Sequence, residues 1–314
     1  MCFKIPRKKY SLFETVRLLT AFMLALTLAA IPLAVQADPD RAIFWAIQKD
    51  QLPTGYLLGT IHSEDPRVLD FSEDFLTRLK ANTVFAMELV PDLPTLARLT
   101  KIMNYPQGES LEPVIGSERF AALQTALSTY NMPPGFINRL KPWAAMMTLS
   151  TPPPKTGFFM DLSLSLRASG NGSKVVGLET LEQQLSFLQD MPLSMQLELL
   201  DQAIAEFDQV NKAHDMMVET YLKNDLQVLQ ALVAEQFETV SEKARDYFIK
   251  SGIDARNVRM VKALSPYLED SSVFVAVGAL HLPGEKGIIN LLRERGYQLT
   301  ALELPFRVAG GDEP

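Results

Sequence analysis

Four times in this chain a short, largely apolar run, β-branched or aromatic at several positions and bounded by turn residues, gives way within four residues to a histidine or a glutamate. The runs span 56–58, 83–87, 174–178 and 273–277, and they lead to His62, Glu88, Glu179 and His281. Runs of this kind predict buried strands. After the first run the periodicity turns helical: Phe71, Phe75, Leu76 and Leu79 fall on one helical face, and Asn82 can end that helix before the next strand. The pattern returns near the C-terminus. There the run 273–277 is followed by a Pro283-Gly284 loop, a helix through Ile288, Ile289, Leu291 and Leu292, Gly296 just past the helix end, and a strand over 297–302. Both ends place Gly-x-x-His after a strand, as Gly59-Thr60-Ile61-His62 and Gly278-Ala279-Leu280-His281, which reads as an internal repeat. The predicted fold is α/β (α+β), a central mixed sheet built from two β-α-β-like halves and covered by a helical insertion.

The insertion is the region of about 95–250. It carries helical stretches over 120–127 and 142–149, a stiff Pro152-Pro153-Pro154 connector, and long helices between Leu181 and Gln236. The stripes formed by Met195, Leu199, Leu200, Met216 and Met217 read as packing rather than as a cofactor site.

The first 37 residues have a different logic. Lys4, Arg7, Lys8, Lys9 and Arg17 precede or border an apolar run over 18–34 that closes on Val35-Gln36-Ala37, the order of a signal peptide. We expect cleavage after Ala37, a single domain over 38–314, and export, in the periplasmic sense; an uncleaved segment would act as a membrane tether. Cys2, the single cysteine, falls in the removed segment, so the mature chain has no thiol for a nucleophile, a ligand or a disulfide. Removing 1–37 lowers the basic residues from 30 to 25 and the acidic ones from 37 to 36, a net charge near −11 that argues against a nucleic-acid partner. No later segment is apolar for long enough to span a bilayer.

In open α/β sheets ligands bind at the carboxyl ends of the strands. Here those ends carry two imidazoles and two carboxylates, the donor set of a site for zinc, manganese or cobalt. For each histidine alone the competing reading is a hydrogen-bonded residue at a strand end, and for each glutamate a carboxylate paired with an arginine or capping a helix. The shared Gly-x-x-His context favours joint participation of His62 and His281 in one site. His214 sits in a polar helical stretch and reads as a surface residue. Glu303 follows a comparable strand but at an edge. Arg256 and Arg259, three apart, would share a helix face and could bind a substrate carboxylate or a developing oxyanion, or form a solvated, salt-bridged surface. Other catalytic signatures are missing: there is no His-Glu-x-x-His, no Gly-x-Ser-x-Gly, no phosphate loop and no dinucleotide fingerprint.

Taken together, Leu57-Leu58-Gly59-Thr60-Ile61-His62, Ala86-Met87-Glu88-Leu89, Gly177-Leu178-Glu179-Thr180 with Gln183 or Gln184, Arg256-Asn257 and Val277-Gly278-Ala279-Leu280-His281-Leu282-Pro283-Gly284 resemble the TraB/GumN family, and the likeness continues through Lys141-Pro142-Trp143 and Asp161. One departure is Ser63-Glu64-Asp65, where relatives often have a small apolar residue. The family includes the animal Tiki proteins, regarded as metal-dependent peptidases with paired Gly-x-x-His motifs and a glutamate. The resemblance therefore implies a divalent metal at His62 and His281 with Glu88 as carboxylate partner. On that reading Glu179 is a general base or fourth ligand, Arg256 stabilises charge on the intermediate or grips a peptide carboxylate, and the substrate is a peptide or protein. The alternative is a non-catalytic metal- or haem-binding protein of the cell envelope acting through protein partners.

Overall fold

The computed structural model describes residues 41–307, so the expected signal peptide over 1–37 lies outside the described residues. Six strands form one sheet: β1 (Phe44–Gln48), β2 (Gly55–Thr60), β3 (Val84–Met87), β4 (Lys174–Gly177), β5 (Val273–Gly278) and β6 (Gln298–Ala301), in the order β4-β3-β5-β2-β1-β6. β1 is antiparallel to β2 and to β6, and the remaining pairings are parallel. The sheet is thus mixed, as expected. The two strands that carry Gly-x-x-His, β2 and β5, are central neighbours, with Thr60 opposite Gly278.

The strands and helix expected of each β-α-β unit are present, and the two units interleave in the sheet. β5 lies between β2 and β3, while β2 and β1 lie between β5 and β6. Neither half can close its sheet alone. β1 was not anticipated, because Ala42 to Ile47 is a continuous apolar stretch without alternation, which periodicity cannot distinguish from a buried helix. Its burial explains the missing alternation, since Phe44, Trp45, Ala46 and Ile47 are all inside.

The β2–β3 crossover helix, Glu73–Lys80, shows why these residues fold as they do. The Ser72 side chain caps its N-terminus by accepting from the Phe75 amide, Glu73 and Asp74 occupy the positive end, and Arg78 and Lys80 the negative end. Phe75 and Leu79 turn inward. Asn82 closes the helix by donating from Nδ2 to the Arg78 carbonyl at 2.6 Å. Inside, Phe274 of β5 meets Phe44, Tyr56, Phe75 and Phe85, with ring centroids 5.4 to 6.0 Å apart.

The helical region builds a second core of its own. Leu111, Phe120, Leu123, Leu127, Trp143 and Leu200 pack together, apart from the core under the sheet. Met195, Leu199 and Leu200 are buried there as expected, but Met216 is 45% exposed. The helices Val210–Tyr221 and Leu226–Gln236 instead contribute Val218, Tyr221, Leu226 and Leu229 to the sheet's core. Among the described residues no helix is long and apolar enough to cross a membrane.

Phe274→Ala should destabilise the protein by about 3–5 kcal/mol, because it empties the centre of a five-ring cluster. Urea denaturation would show this as a lower midpoint at an unchanged slope.

Candidate active site

The parallel registers align the carboxyl ends of four strands. Thr60 faces Gly278, Met87 faces Ala276, and Met87 also faces Gly177. The pairing runs past the last two strands, since the Leu178 amide donates to the Met87 carbonyl at 2.8 Å and the Glu179 amide to the Glu88 carbonyl at 2.9 Å. Glu88 and Glu179 therefore stand side by side. At Gly59 the gap between β2 and β5 is too small for a side chain: a Cβ there would lie 2.9 Å from Ala279 Cα.

Two adjacent carboxylates in a dry setting need a cation. Arg256 supplies it from the helix Ala255–Asp270. Its Nη2 donates to Glu88 Oε2 at 2.5 Å and to Glu179 Oε2 at 2.6 Å, and its Nε donates to Glu179 Oε2 at 2.9 Å. Arg259, one turn on, reaches Glu179 Oε1 at 3.3 Å. The two arginines do share a helix face, and that face points at the glutamates. Glu179 is sealed, with no side-chain exposure, and both of its oxygens are engaged by arginine. A π-helical stretch, Phe248–Asp254, leads into the arginine helix, and its Gly252 carbonyl lies 3.5 Å from Arg256 Nη1.

Glu88 is held from further directions. Gly278 donates its amide to Oε1 at 2.7 Å, and Gln184 donates from Nε2 to Oε2 at 3.1 Å. Gln184 is aimed by the start of the helix Leu181–Gln189, where Thr180 and Gln183 form a reciprocal capping box. Burial opposes the charge on Glu88, but His281, Arg256 and the Gly278 amide facing it hold its pKa down to about 2.

His281 sits in a single turn, Ala279–His281, at the end of β5 and is 4% exposed. Burial drives its pKa down to about 4 against the pull of Glu88. The ring is then unprotonated at neutral pH, so Arg256 and the Gly278 amide carry the stabilisation of Glu88 there. Its tautomer follows from its neighbours. Asn257 donates from Nδ2 to the Lys286 carbonyl at 2.8 Å, which turns Oδ1 toward His281 Nδ1 at 2.6 Å. Nδ1 must carry the proton, and the lone pair is left on Nε2, 3.7 Å from Glu88 Oε1.

His62 leaves the neighbouring strand β2 with its side chain 63% exposed. Its ring stacks on Phe159 with centroids 3.8 Å apart, and Asp161 Oδ2 lies 3.8 Å from Nδ1. Asp161 in turn accepts from Thr60 Oγ1 at 2.6 Å. His214 is half-buried rather than a plain surface residue, and its Nε2 lies 3.0 Å from the buried Ser63 Oγ. The structure thus joins Glu88, Glu179, Arg256, Arg259 and His281 by direct contact, while His62 contacts Phe159 and Asp161 at the next strand end. Among the described residues no three His, Cys, Asp or Glu side chains form a group that could hold a metal ion.

The donor chemistry of one pair does fit a divalent cation. A deprotonated imidazole nitrogen and a carboxylate oxygen face each other, and the second ring nitrogen is held by an amide oxygen, the arrangement that orients metal-binding histidines. Metal–ligand bonds of about 2.0–2.2 Å require two ligands of one cation to stand at about this separation. Gln184, Asn257 and Asp161 escaped prediction as site residues. Asn257, next to Arg256 in the sequence, had the clearest signal, since a polar amide on the inner face of a helix needs a buried partner.

A cluster of charge-balanced carboxylates beside a neutral imidazole, at the carboxyl edge of a mostly parallel sheet, defines an α/β protein with a polar site at its strand ends. The chain belongs to the TraB/PrgY/gumN family, whose model matches residues 43–301. It is similar to metalloprotease TIKI1 of Danio rerio, with 25% identity over 311 residues covering 82% of this chain and 63% of that protein. The human metalloprotease TIKI1 is 24% identical, covering 84% of this chain and 62% of its own length. A metalloprotease TIKI homolog of Amphimedon queenslandica is 22% identical, covering 88% and 64%. The chain spans less than two thirds of the length of these relatives. No solved structure matches it significantly.

Arg256→Ala should cost about 3–5 kcal/mol, since it strands two carboxylates beside each other. Arg256→Ala combined with Glu179→Gln should recover part of that loss. Chemical denaturation of both variants checks the ordering, and equal stability of the two would refute it.

Proposed function

We propose that this chain is an exported metal-dependent hydrolase acting on peptides, with His281, Glu88 and His62 as the residues that would hold the metal. The observation that carries this reading is the aimed pair at the end of β5 and β3, His281 Nε2 and Glu88 Oε1, with the imidazole tautomer set by Asn257. Family membership and relatives named as metalloproteases support it. His62 enters the set because its strand end adjoins that of His281. A divalent transition metal, whether manganese, cobalt or zinc, would when bound lower the pKa of water from about 15.7 to about 7 and so supply a nucleophile at neutral pH.

The other residues act by binding and orienting. Arg256 and the Gly278 amide keep Glu88 ionised and fix both its oxygens. Glu179 serves here as the buried anchor of Arg256, because its oxygens already accept from two arginines. That assignment replaces the general-base or fourth-ligand role expected of it. The part of the Arg256 guanidinium not bound to carboxylate lies near the Gly252 carbonyl, beside the strand ends, where it could also attract a peptide carboxylate. Export through residues 1–37 to the periplasm belongs to the same proposal.

Protein purified without chelators or a histidine tag should contain near-stoichiometric divalent metal by plasma mass spectrometry, and His62→Ala and His281→Ala should each lose it. The metal-loaded wild type should cleave members of a broad peptide library. Stoichiometric metal without any cleavage would turn the reading to a non-catalytic metal-binding protein, and no metal even after reconstitution would end it.

A further inference from the structure

The proposed ligand His62 is fixed by very little of its own. Its side chain is mostly exposed, its imidazole makes no hydrogen bond to any described residue, and its ring stacks on Phe159 with Asp161 beside it and His214 near enough to feel its charge. Phe159 and Asp161 belong to one segment, 155–161, that crosses it. The start of that segment is held in turn by Glu64, two residues beyond His62. We propose that Glu64 is a positioning residue for His62, acting by clamping the 155–161 segment across the imidazole.

The clamp is a carboxylate in a nest of consecutive amides. Lys155 donates to Glu64 Oε2 at 2.8 Å, Thr156 to the same oxygen at 3.0 Å, and Gly157 to Oε1 at 2.5 Å. Successive backbone N–H groups turned to one side form an anion-binding concavity. Gly157 makes the turn possible, with φ at +79°, a conformation disfavoured for residues with a Cβ. On the far side, the Pro152-Pro153-Pro154 run has no backbone donors of its own and limited freedom, so it delivers the segment to Glu64 without a competing hydrogen-bond pattern.

Two more attachments complete the strap. The Met160 amide donates to the Ser63 carbonyl at 3.1 Å, and Thr60 Oγ1 donates to Asp161 Oδ1 at 2.6 Å. Residues 60, 63 and 64 therefore grip the strap on both sides of His62, and the imidazole is held between them against Phe159, at an interplanar angle of 16°. The orientation has a chemical sense. An oxygen of Asp161 faces Nδ1 of His62 just as an oxygen of Asn257 faces Nδ1 of His281, so in both histidines Nε2 is the nitrogen turned away from its holder. The consequence for catalysis rests on the metal-hydrolase reading above; the placement of the ring does not.

The chain has three histidines, so their ring signals can be resolved and assigned in histidine-labelled protein by substituting each in turn. In the wild type the His62 ring protons should lie upfield, shielded by the stacked Phe159. Phe159→Leu and Glu64→Ala should both move them toward free-imidazole positions while His281 stays in place. Glu64→Gln, which keeps an acceptor oxygen, should fall between, and it carries the test alone if Glu64→Ala fails to fold. Trypsin should nick Glu64→Ala after Lys155 on the order of tenfold faster than the wild type, reflecting loss of hydrogen bonds to a charged group. Wild-type His62 signals in a folded Glu64 variant, or equal displacement of all three histidines, would overturn the proposal. A wild type without peptidase activity would count against the hydrolase reading and leave this one standing.

Discussion

The arrangement at the strand ends depends on one guanidinium. Pairing beyond β3 and β4 forces Glu88 and Glu179 onto adjacent backbones, about 4.8 Å apart as neighbouring strands are, and both side chains are withdrawn from solvent. Like charges at that spacing in a poorly solvated site would repel strongly. Arg256 bridges them with three short hydrogen bonds, which a lysine could not reproduce because an ammonium lacks the planar fork. Its helix also brings Asn257 to His281. A single element thus sets the charge of one proposed ligand and the tautomer of the other.

That dependence explains why the fold was more legible in the sequence than the site. Strand runs announce themselves through β-branched residues and turns, and four of the six strands, with the C-terminal 298–301 strand as a fifth, lie where those signals put them. β1 escaped because complete burial erases the alternation that would mark it. The strand-end residues were legible for the same reason as the strands, since a polar residue that stops an apolar run stands at an edge of the sheet by construction. Arg256 and Arg259 were legible as a face, but their target was not. Which partner a helical arginine meets depends on the crossing of a helix and a sheet separated by some 77 residues of chain, and no local pattern encodes that distance.

Partners brought in from the helical layer and its connectors were the least legible. His214 read as a surface residue because it lies in a polar helical stretch with Asp215 beside it, yet its helix packs on the sheet core through Val218 and Tyr221, which carries its imidazole to Ser63. Asp161 and Phe159 meet His62 only after the triple-proline connector has brought their segment back to the sheet. Tyr221 adds a fixed point beneath them: its hydroxyl donates to the Gly59 carbonyl at 2.6 Å, and burial pushes its own ionisation well above the usual tyrosine range. The first Gly-x-x-His turn is therefore pinned from the helical layer at the glycine that begins it.

The paired motifs, though similar as sequence, are packaged in opposite ways. His281 is enclosed in one short turn, with its ring set by a buried amide and its charge suppressed by burial. His62 is presented in an open loop whose order comes from a strap arriving from another part of the chain. Burial favours a permanently formed half-site, because displacing His281 would leave the Asn257 oxygen unpaired in the interior. Exposure favours a half-site that can adjust, because moving the His62 ring breaks a stack and no hydrogen bond. If the two histidines share a ligand, the rigid one defines where that ligand sits and the strapped one decides how tightly it is closed in. Ser63-Glu64-Asp65 falls on the adjustable side, where a change in sequence would alter the closure without disturbing the charge balance around Arg256.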